Sequence, residues 1–177
     1  VPVVTLAGAR PVSRQTLCVL GNLGLEEFAA QTVDGFVERA IALAEKTYEL
    51  TSFLADVVKL DKAPAILTQM PTVTYHDSCA GLRELGIKEQ PRKLLRELCE
   101  VDIKEMQQAD VCCGFGGTFC AKMPDISGKM VDDKLRDAVA TGAGMITGGD
   151  LGCLLNIAGR ARREGIDIEV RHVAELL

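Results

Sequence analysis

Met145-Ile146-Thr147-Gly148-Gly149-Asp150-Leu151-Gly152-Cys153-Leu154-Leu155 is the stretch that decides the fold. Met145, Ile146 and Thr147 suit a buried pleated surface and read as a strand. Two glycines break it, and Asp150 stands where a helix N-cap accepts the first free amides. Leu151, Leu154, Leu155 and Ala158 then recur at helical spacing as an apolar face, until Gly165 ends the helix. Ile168-Glu169-Val170 completes a strand–helix–strand unit.

The same alternation runs upstream. Val73-Thr74-Tyr75 reads as a strand, and Ser78 caps a short helix after it. Pro91 takes a first-turn position ahead of Leu94, Leu95 and Leu98. Val101-Asp102-Ile103 is the next strand. Pro124 opens a helix with Val131, Leu135, Ala138 and Val139 on its apolar face, stopped by Gly142. Such alternation predicts an α/β fold: a small, mostly parallel sheet with helices on both faces, joined by right-handed crossovers. Ahead of it lies a helical N-terminal extension. Val3-Val4-Thr5-Leu6 reads as a strand ended by Gly8. Two apolar stripes follow between residues 24 and 60, Val33, Phe36, Val37, Ala40 and Ala44, then Leu50, Phe53, Leu54 and Val57. One long helix and two shorter ones both remain open, because of Gly35 and Glu45-Lys46-Thr47. Pro64 and Pro71 punctuate a linker. The expected organisation is a strand and helical segment over 1–70 and a cysteine-rich α/β domain over 71–177.

The 177 residues are 47% hydrophobic and 25% charged, the balance of a globular chain able to bury a core. A net charge of −5 gives no electrostatic footprint for nucleic acid. No apolar run approaches the ~20 residues of a membrane span, and no secretory-signal pattern is present. Seven cysteines, an odd number, do not suit a pure disulfide framework. Clustered cysteines in a reducing compartment read as metal ligands or redox groups, so a cytoplasmic location is expected. The chain starts Val1-Pro2-Val3 without methionine and is expected to be a piece of something longer.

Cys79, Cys112, Cys113 and Cys153 all fall just past a strand, at a loop or helix start. Ligand sites in open parallel sheets lie beyond the carboxyl ends of strands, so these distant residues should converge at one rim. Free amides and the positive end of a helix dipole favour the thiolate there, which is the metal-binding form. Gly114, Gly116, Gly117, Gly148 and Gly149 let backbone pass close to a bulky group and present amides to it. Two adjacent cysteines fit a multi-iron cluster better than one tetrahedral ion, because each sulfur can meet a different iron.

Spacing sharpens this. Between Cys79 and Cys112 lie 32 residues, and between Cys113 and Cys153 lie 39. With His76-Asp77-Ser78-Cys79, Cys112-Cys113-Gly114-Phe115-Gly116-Gly117 and Gly148-Gly149-Asp150-Leu151-Gly152-Cys153, the sequence resembles the cysteine-rich CCG-domain family. Its branches include lactate-utilisation proteins, glycolate oxidase iron–sulfur subunits and heterodisulfide reductase B subunits; Phe-Gly-Gly-Thr and Gly-Asp-Leu-Gly-Cys look most like the first. The resemblance implies a [4Fe–4S] cluster, non-cubane in the heterodisulfide reductase branch. It also implies an electron-transfer part of an L-lactate or glycolate oxidoreductase, working beside other iron–sulfur or flavin subunits and without a complete active site of its own. Two departures stand out: Asp150 occupies the place of the first cysteine of the family's Cys-x-x-Cys, and one complete motif copy is present instead of two. Val3-Val4-Thr5-Leu6-Ala7-Gly8 faintly echoes Met145 to Gly149, as the tail of an upstream copy would.

Other readings stay open. Asp150 is either an N-cap or a carboxylate ligand. Cys120 is either packed at a helix start or the missing thiolate. His76 is a hydrogen-bonding neighbour of the site or, in a zinc module built on three of the cysteines, a ligand. A cluster with an open iron site would instead make the chain a disulfide-reducing catalyst. Cys18 and Cys99 read as buried thiols, and His172 as structural. Gly142-Ala143-Gly144 precedes a strand and so fails the dinucleotide fingerprint. Arg160, Arg162, Arg163 and Arg171 read as a solvated face or a docking surface for a partner.

Overall fold

A computed structural model describes residues 3–8, 14–61 and 71–177. Two compact units divide between Tyr48 and Glu49. In the first, β1 (Thr5–Leu6) pairs in parallel with β2 (Ala29–Ala30), and helices α1 (Gln15–Asn22) and α2 (Val33–Ala44) form the helical extension. Thr32 caps α2, its Oγ1 accepting the Gly35 amide at 3.1 Å. Arg39 reaches back one way to the Glu27 carbonyl at 2.7 Å and the other to Gly35 O at 3.1 Å. The expected apolar stripe of α2 stays open to solvent at Val33 and Val37, as does Ile41.

The second unit begins with α3 (Leu50–Ser52), which runs on into a π turn over Phe53–Val57. Residues 24–60 therefore hold separate helices, α2 and α3, instead of one. Pro64 lies outside the described residues. The main sheet has three parallel strands in the order β3 (Val73–His76), β4 (Met145–Gly148), β5 (Glu169–His172). Register sets Val73 beside Met145 and Met145 beside Glu169, which puts His76, Gly148 and His172 level at the carboxyl ends. Between β3 and β4 come a π turn over Ala80–Glu84, α4 (Glu89–Glu97), α5 (Thr118–Lys122) and α6 (Pro124–Ala140); α7 (Leu151–Arg163) links β4 to β5. The expected strand at Val101-Asp102-Ile103 shrinks to one bridge between Val73 and Ile103. The Val73 amide donates to Asp102 O and its carbonyl accepts from Lys104 N, both at 2.9 Å, after which the chain turns away.

Strand side chains alternate between faces, so neighbours in register share one. On one face Val73, Tyr75 and Met145 pack with Leu95, Val101, Val173 and Leu176. On the other, Ile146 packs with Val131, Leu135 and Ala138 of α6 and Ile157 and Ala161 of α7, together with Cys113 and Cys153. Helices therefore cover both faces. Two apolar faces are rotated from expectation: Val139 of α6 is exposed, as are Leu151 and Leu155 of α7, where Cys153, Leu154, Ile157 and Ala161 point inward. No helix among the described residues is long and apolar enough to cross a membrane.

Candidate metal centre

His76 closes β3 on the same face as Thr74 and Ile146, the face that carries Cys113 and Cys153. One donor atom each from His76, Cys113 and Cys153 lie within 4.8 Å of one another. His76 is 1% exposed, and neither of its ring nitrogens has a hydrogen-bond partner among the described residues. A buried imidazole left so costs about 1–3 kcal/mol, which a bound cation would recover.

The thiols share charge unequally. Cys113 is pushed down to about 4, first by the hydrogen bond from Cys153, against its own burial, with His76 and the Phe115 backbone helping. Cys153 is pushed up, first by that same hydrogen bond and then by burial, with the Cys113 and Asp150 charges adding. One proton held between two sulfurs accounts for both directions. Cys79 is also raised, by burial first and then by its hydrogen bond to Cys112, while Arg83 opposes. Cys112 Sγ accepts the Gly114 amide at 3.4 Å, and its charge is felt at Cys153. His76, Cys113 and Cys153 thus meet beyond the carboxyl end of β3, and Cys79, which follows that strand, interacts with Cys112 and Cys113. Four thiols and an imidazole suit a thiophilic ion or an iron–sulfur cluster.

The other named residues take these places. Asp150 caps α7: its Oδ1 accepts the Cys153 amide at 2.9 Å. Cys120 Sγ donates to Gly117 O at 3.0 Å and lines a cavity of about 320 Å³ with Ser127, Leu155, Asn156 and Arg160. Gly114, Gly116 and Gly117 all have positive φ, and at Gly114 a Cβ would meet Ser127 O at 2.8 Å. A Cβ on Gly149 would make only ordinary contact with the Tyr75 hydroxyl, at 3.5 Å. His172 caps the last turn, its Nδ1 accepting Ala174 N at 3.2 Å. Cys18 is exposed, contrary to expectation, and Cys99 is half-buried with Sγ donating to Leu176 O at 3.3 Å.

Several supporting residues went unnoticed in the sequence. Gly152 admits the Phe115 ring, which a Cβ would meet at 2.5 Å. Asn156, one turn after Cys153, donates to Cys113 O at 3.0 Å. Ser127 donates to Gly114 O at 2.8 Å. Arg92 spends all five N–H donors: two on Asp77 at 2.8 and 2.9 Å, two on Glu105 at 2.8 and 2.9 Å, and one on Lys88 O at 2.8 Å. That fork anchors the segment between His76 and Cys79. Arg92 three residues before Leu95, and Lys134 between Val131 and Ala138 in one helical row, left only a faint trace in the sequence, since a charged residue on a helix ordinarily faces solvent.

Residues 73–158 match the cysteine-rich CCG domain. Beyond that domain match, the chain is similar to proteins named lactate utilization protein A. It is 48% identical over 140 residues to Lactate utilization protein A 2 of Bacillus cereus (strain AH820), an alignment covering 79% of this chain and 57% of that protein. Identity is 47% over 140 residues, with the same shares covered, to Lactate utilization protein A 1 of Bacillus anthracis (strain CDC 684 / NRRL 3495). It is 47% over 138 residues to Lactate utilization protein A of Oceanobacillus iheyensis, covering 78% of this chain and 56% of that one. The chain thus spans little more than half the length of these relatives. No solved structure matches it.

Proposed function

We propose that this chain is an iron–sulfur electron-transfer domain of the lactate-utilisation type, with Cys79, Cys112, Cys113 and Cys153 as ligands and a [4Fe–4S] cluster as cofactor. The observation that carries this is the meeting of His76, Cys113 and Cys153 donor atoms within 4.8 Å. When bound, a cluster supplies one-electron redox chemistry. The protein's part is to offer thiolates, to aim the amides of the Cys112–Gly117 loop at the sulfurs, and to exclude water by burying Cys113 and His76. Other iron–sulfur or flavin subunits would deliver and remove the electrons, in a complex that oxidises L-lactate or glycolate in the cytoplasm. Among the described residues Asp150 and Cys120 already have hydrogen-bonding roles, which supports leaving both outside the ligand set.

Anaerobic reconstitution with iron and sulfide, followed by metal counting and EPR, tests the reading. The chain should bind iron and turn brown, and Cys113→Ser or Cys153→Ser should lower bound iron at least several-fold. Unchanged iron and spectra in both variants would falsify the ligand assignment. A second reading has its own observation in its favour: His76, Cys113 and Cys153 by themselves form a Cys₂His set of the kind zinc takes. A colourless protein carrying zinc and refusing iron would select it.

A further inference from the structure

Every carbonyl of the turn from Cys113 to Gly117 has a donor. Cys120 N donates to Phe115 O and Phe119 N to Gly116 O, each at 3.1 Å, and Cys120 Sγ donates to Gly117 O at 3.0 Å. Those donors belong to α5, into which the turn itself runs. The other two come from side chains of the helices packed on the sheet. Asn156 Nδ2 of α7 donates to Cys113 O at 3.0 Å, and Ser127 Oγ of α6 donates to Gly114 O at 2.8 Å. Neither residue suits its helix on other grounds. Asparagine is a poor helix former, and Ser127 is buried in an inward row with Val131, Leu135 and Ala138. Farther along α6, buried Lys134 holds the approach to Cys112 in the same way, donating to Gln108 O and, at 3.3 Å, to Ala109 O.

What the Asn156 and Ser127 bonds fix is the direction of two amides. A trans peptide is planar, so its N–H points opposite to its C=O. Holding Cys113 O on one side therefore sends the Gly114 N–H to the other, where Cys112 Sγ accepts it at 3.4 Å. Holding Gly114 O orients the next peptide in the same manner, and its Phe115 amide acts on the Cys113 sulfur. The turn does not determine this by itself. Gly114 has a φ of +82°, but glycine takes either sign of φ at little cost. Without a donor at each carbonyl, both peptide planes are free to flip and present oxygens to the sulfurs.

We infer that Asn156 and Ser127 are positioning residues: by holding Cys113 O and Gly114 O they aim the Gly114 and Phe115 amides at the Cys112 and Cys113 sulfurs. The aim itself is a matter of the chain's own geometry; its redox consequence rests on the cluster reading given above. Amide hydrogen bonds to ligating sulfurs favour the reduced form of an iron–sulfur cluster, so releasing them makes reduction harder.

The test uses Asn156→Leu and Ser127→Ala in the full chain, each judged by its own amide. In the reduced, metal-free protein, amide exchange followed by NMR should quicken about tenfold at Gly114 in N156L and at Phe115 in S127A, the loss of one hydrogen bond. Phe119 and Cys120, whose amides answer to carbonyls within the turn, should keep parent rates. Unchanged rates at Gly114 and Phe115 overturn the inference. So does a rise spread evenly over Phe119, Cys120 and the helices, which marks a plain loss of stability. Failure of both variants to fold overturns it as well, and if one fails the other decides. After reconstitution with iron and sulfide, EPR-monitored potentiometry should find the one-electron equilibrium about tenfold further toward the oxidised form, ~59 mV more negative. An unchanged potential with the amides released leaves the aiming role standing and removes Cys112 and Cys113 from the ligand set. A parent that takes up no iron fails the cluster reading alone, and the exchange rates still decide the role of Asn156 and Ser127.

Discussion

Arg92 shows how one side chain organises a site it does not enter. Its guanidinium is almost fully buried, carries the Tyr75 ring 5.0 Å from its centre, and satisfies both oxygens of Asp77. Removing one partner of a buried pair leaves the other charge stranded, which costs about 3–5 kcal/mol. Arg92→Met should therefore lower stability by that order in urea unfolding, and Arg92→Lys should recover only part, because an ammonium cannot reproduce the planar fork. Glu105 gives a pH signature. Its hydrogen bond to Arg92, outweighing its burial, holds its carboxyl below the ordinary 4.5. The unfolded chain thus takes up the proton first, so this stabilisation is complete above about pH 4.5 and drains away as pH falls through the lower folded value. Glu105→Gln should flatten that acid limb in pH-dependent unfolding. The cysteines were legible in the sequence because their spacing is a chemical pattern. Lys134 and Arg92 were not, because a charged letter on a helix reads as solvent-facing until the neighbouring loop is known to fold over it.

At the scale of elements, α7 explains both a success and a misreading. Asp150 reads as a cap from sequence alone, since Asx side chains accept amides three residues on, and its Oδ1 does accept from Cys153. Asp150→Ala should cost about 1 kcal/mol by thermal or chemical unfolding. The helix face was harder. Counting leucines makes Leu151 and Leu155 internal, yet the inward row is Cys153, Leu154, Ile157 and Ala161. Cysteine and alanine pack as small hydrophobes, and they carry the face because Cys153 must turn toward Cys113. Gly152 belongs to the same adjustment, giving Phe115 its place against the helix. Gly152→Ala should push that ring aside at a cost of about 1–3 kcal/mol and loosen the Cys112–Gly117 loop, seen as faster amide exchange there. The strand expected at residues 101–103 is another local overreach: two β-branched residues flanking Asp102 supply one bridge before the backbone is drawn off.

The whole molecule divides at Glu49, and the second unit contains every residue proposed to touch a metal. A chain of residues 49–177 should fold alone and bind as much iron as the full chain, measurable by circular dichroism and metal analysis. Strand–helix alternation carried the parallel architecture, since crossovers leave few other topologies. In the N-terminal unit the strand expected over residues 3–6 is present at Thr5–Leu6, whereas its partner β2, two residues long, is too short to leave a periodic trace.

The parallel order β3-β4-β5 has a consequence for assembly in the cell. Hairpins let neighbouring donors meet early, but here His76 and Cys153 approach only after α4, α5 and α6 have been made and β4 has slotted in beside β3. A ribosome-bound chain that has emerged only as far as the Cys-Cys pair has no closed nest of sulfurs to offer. On the proposed reading, the chain would offer its full set of iron ligands only once this unit has folded.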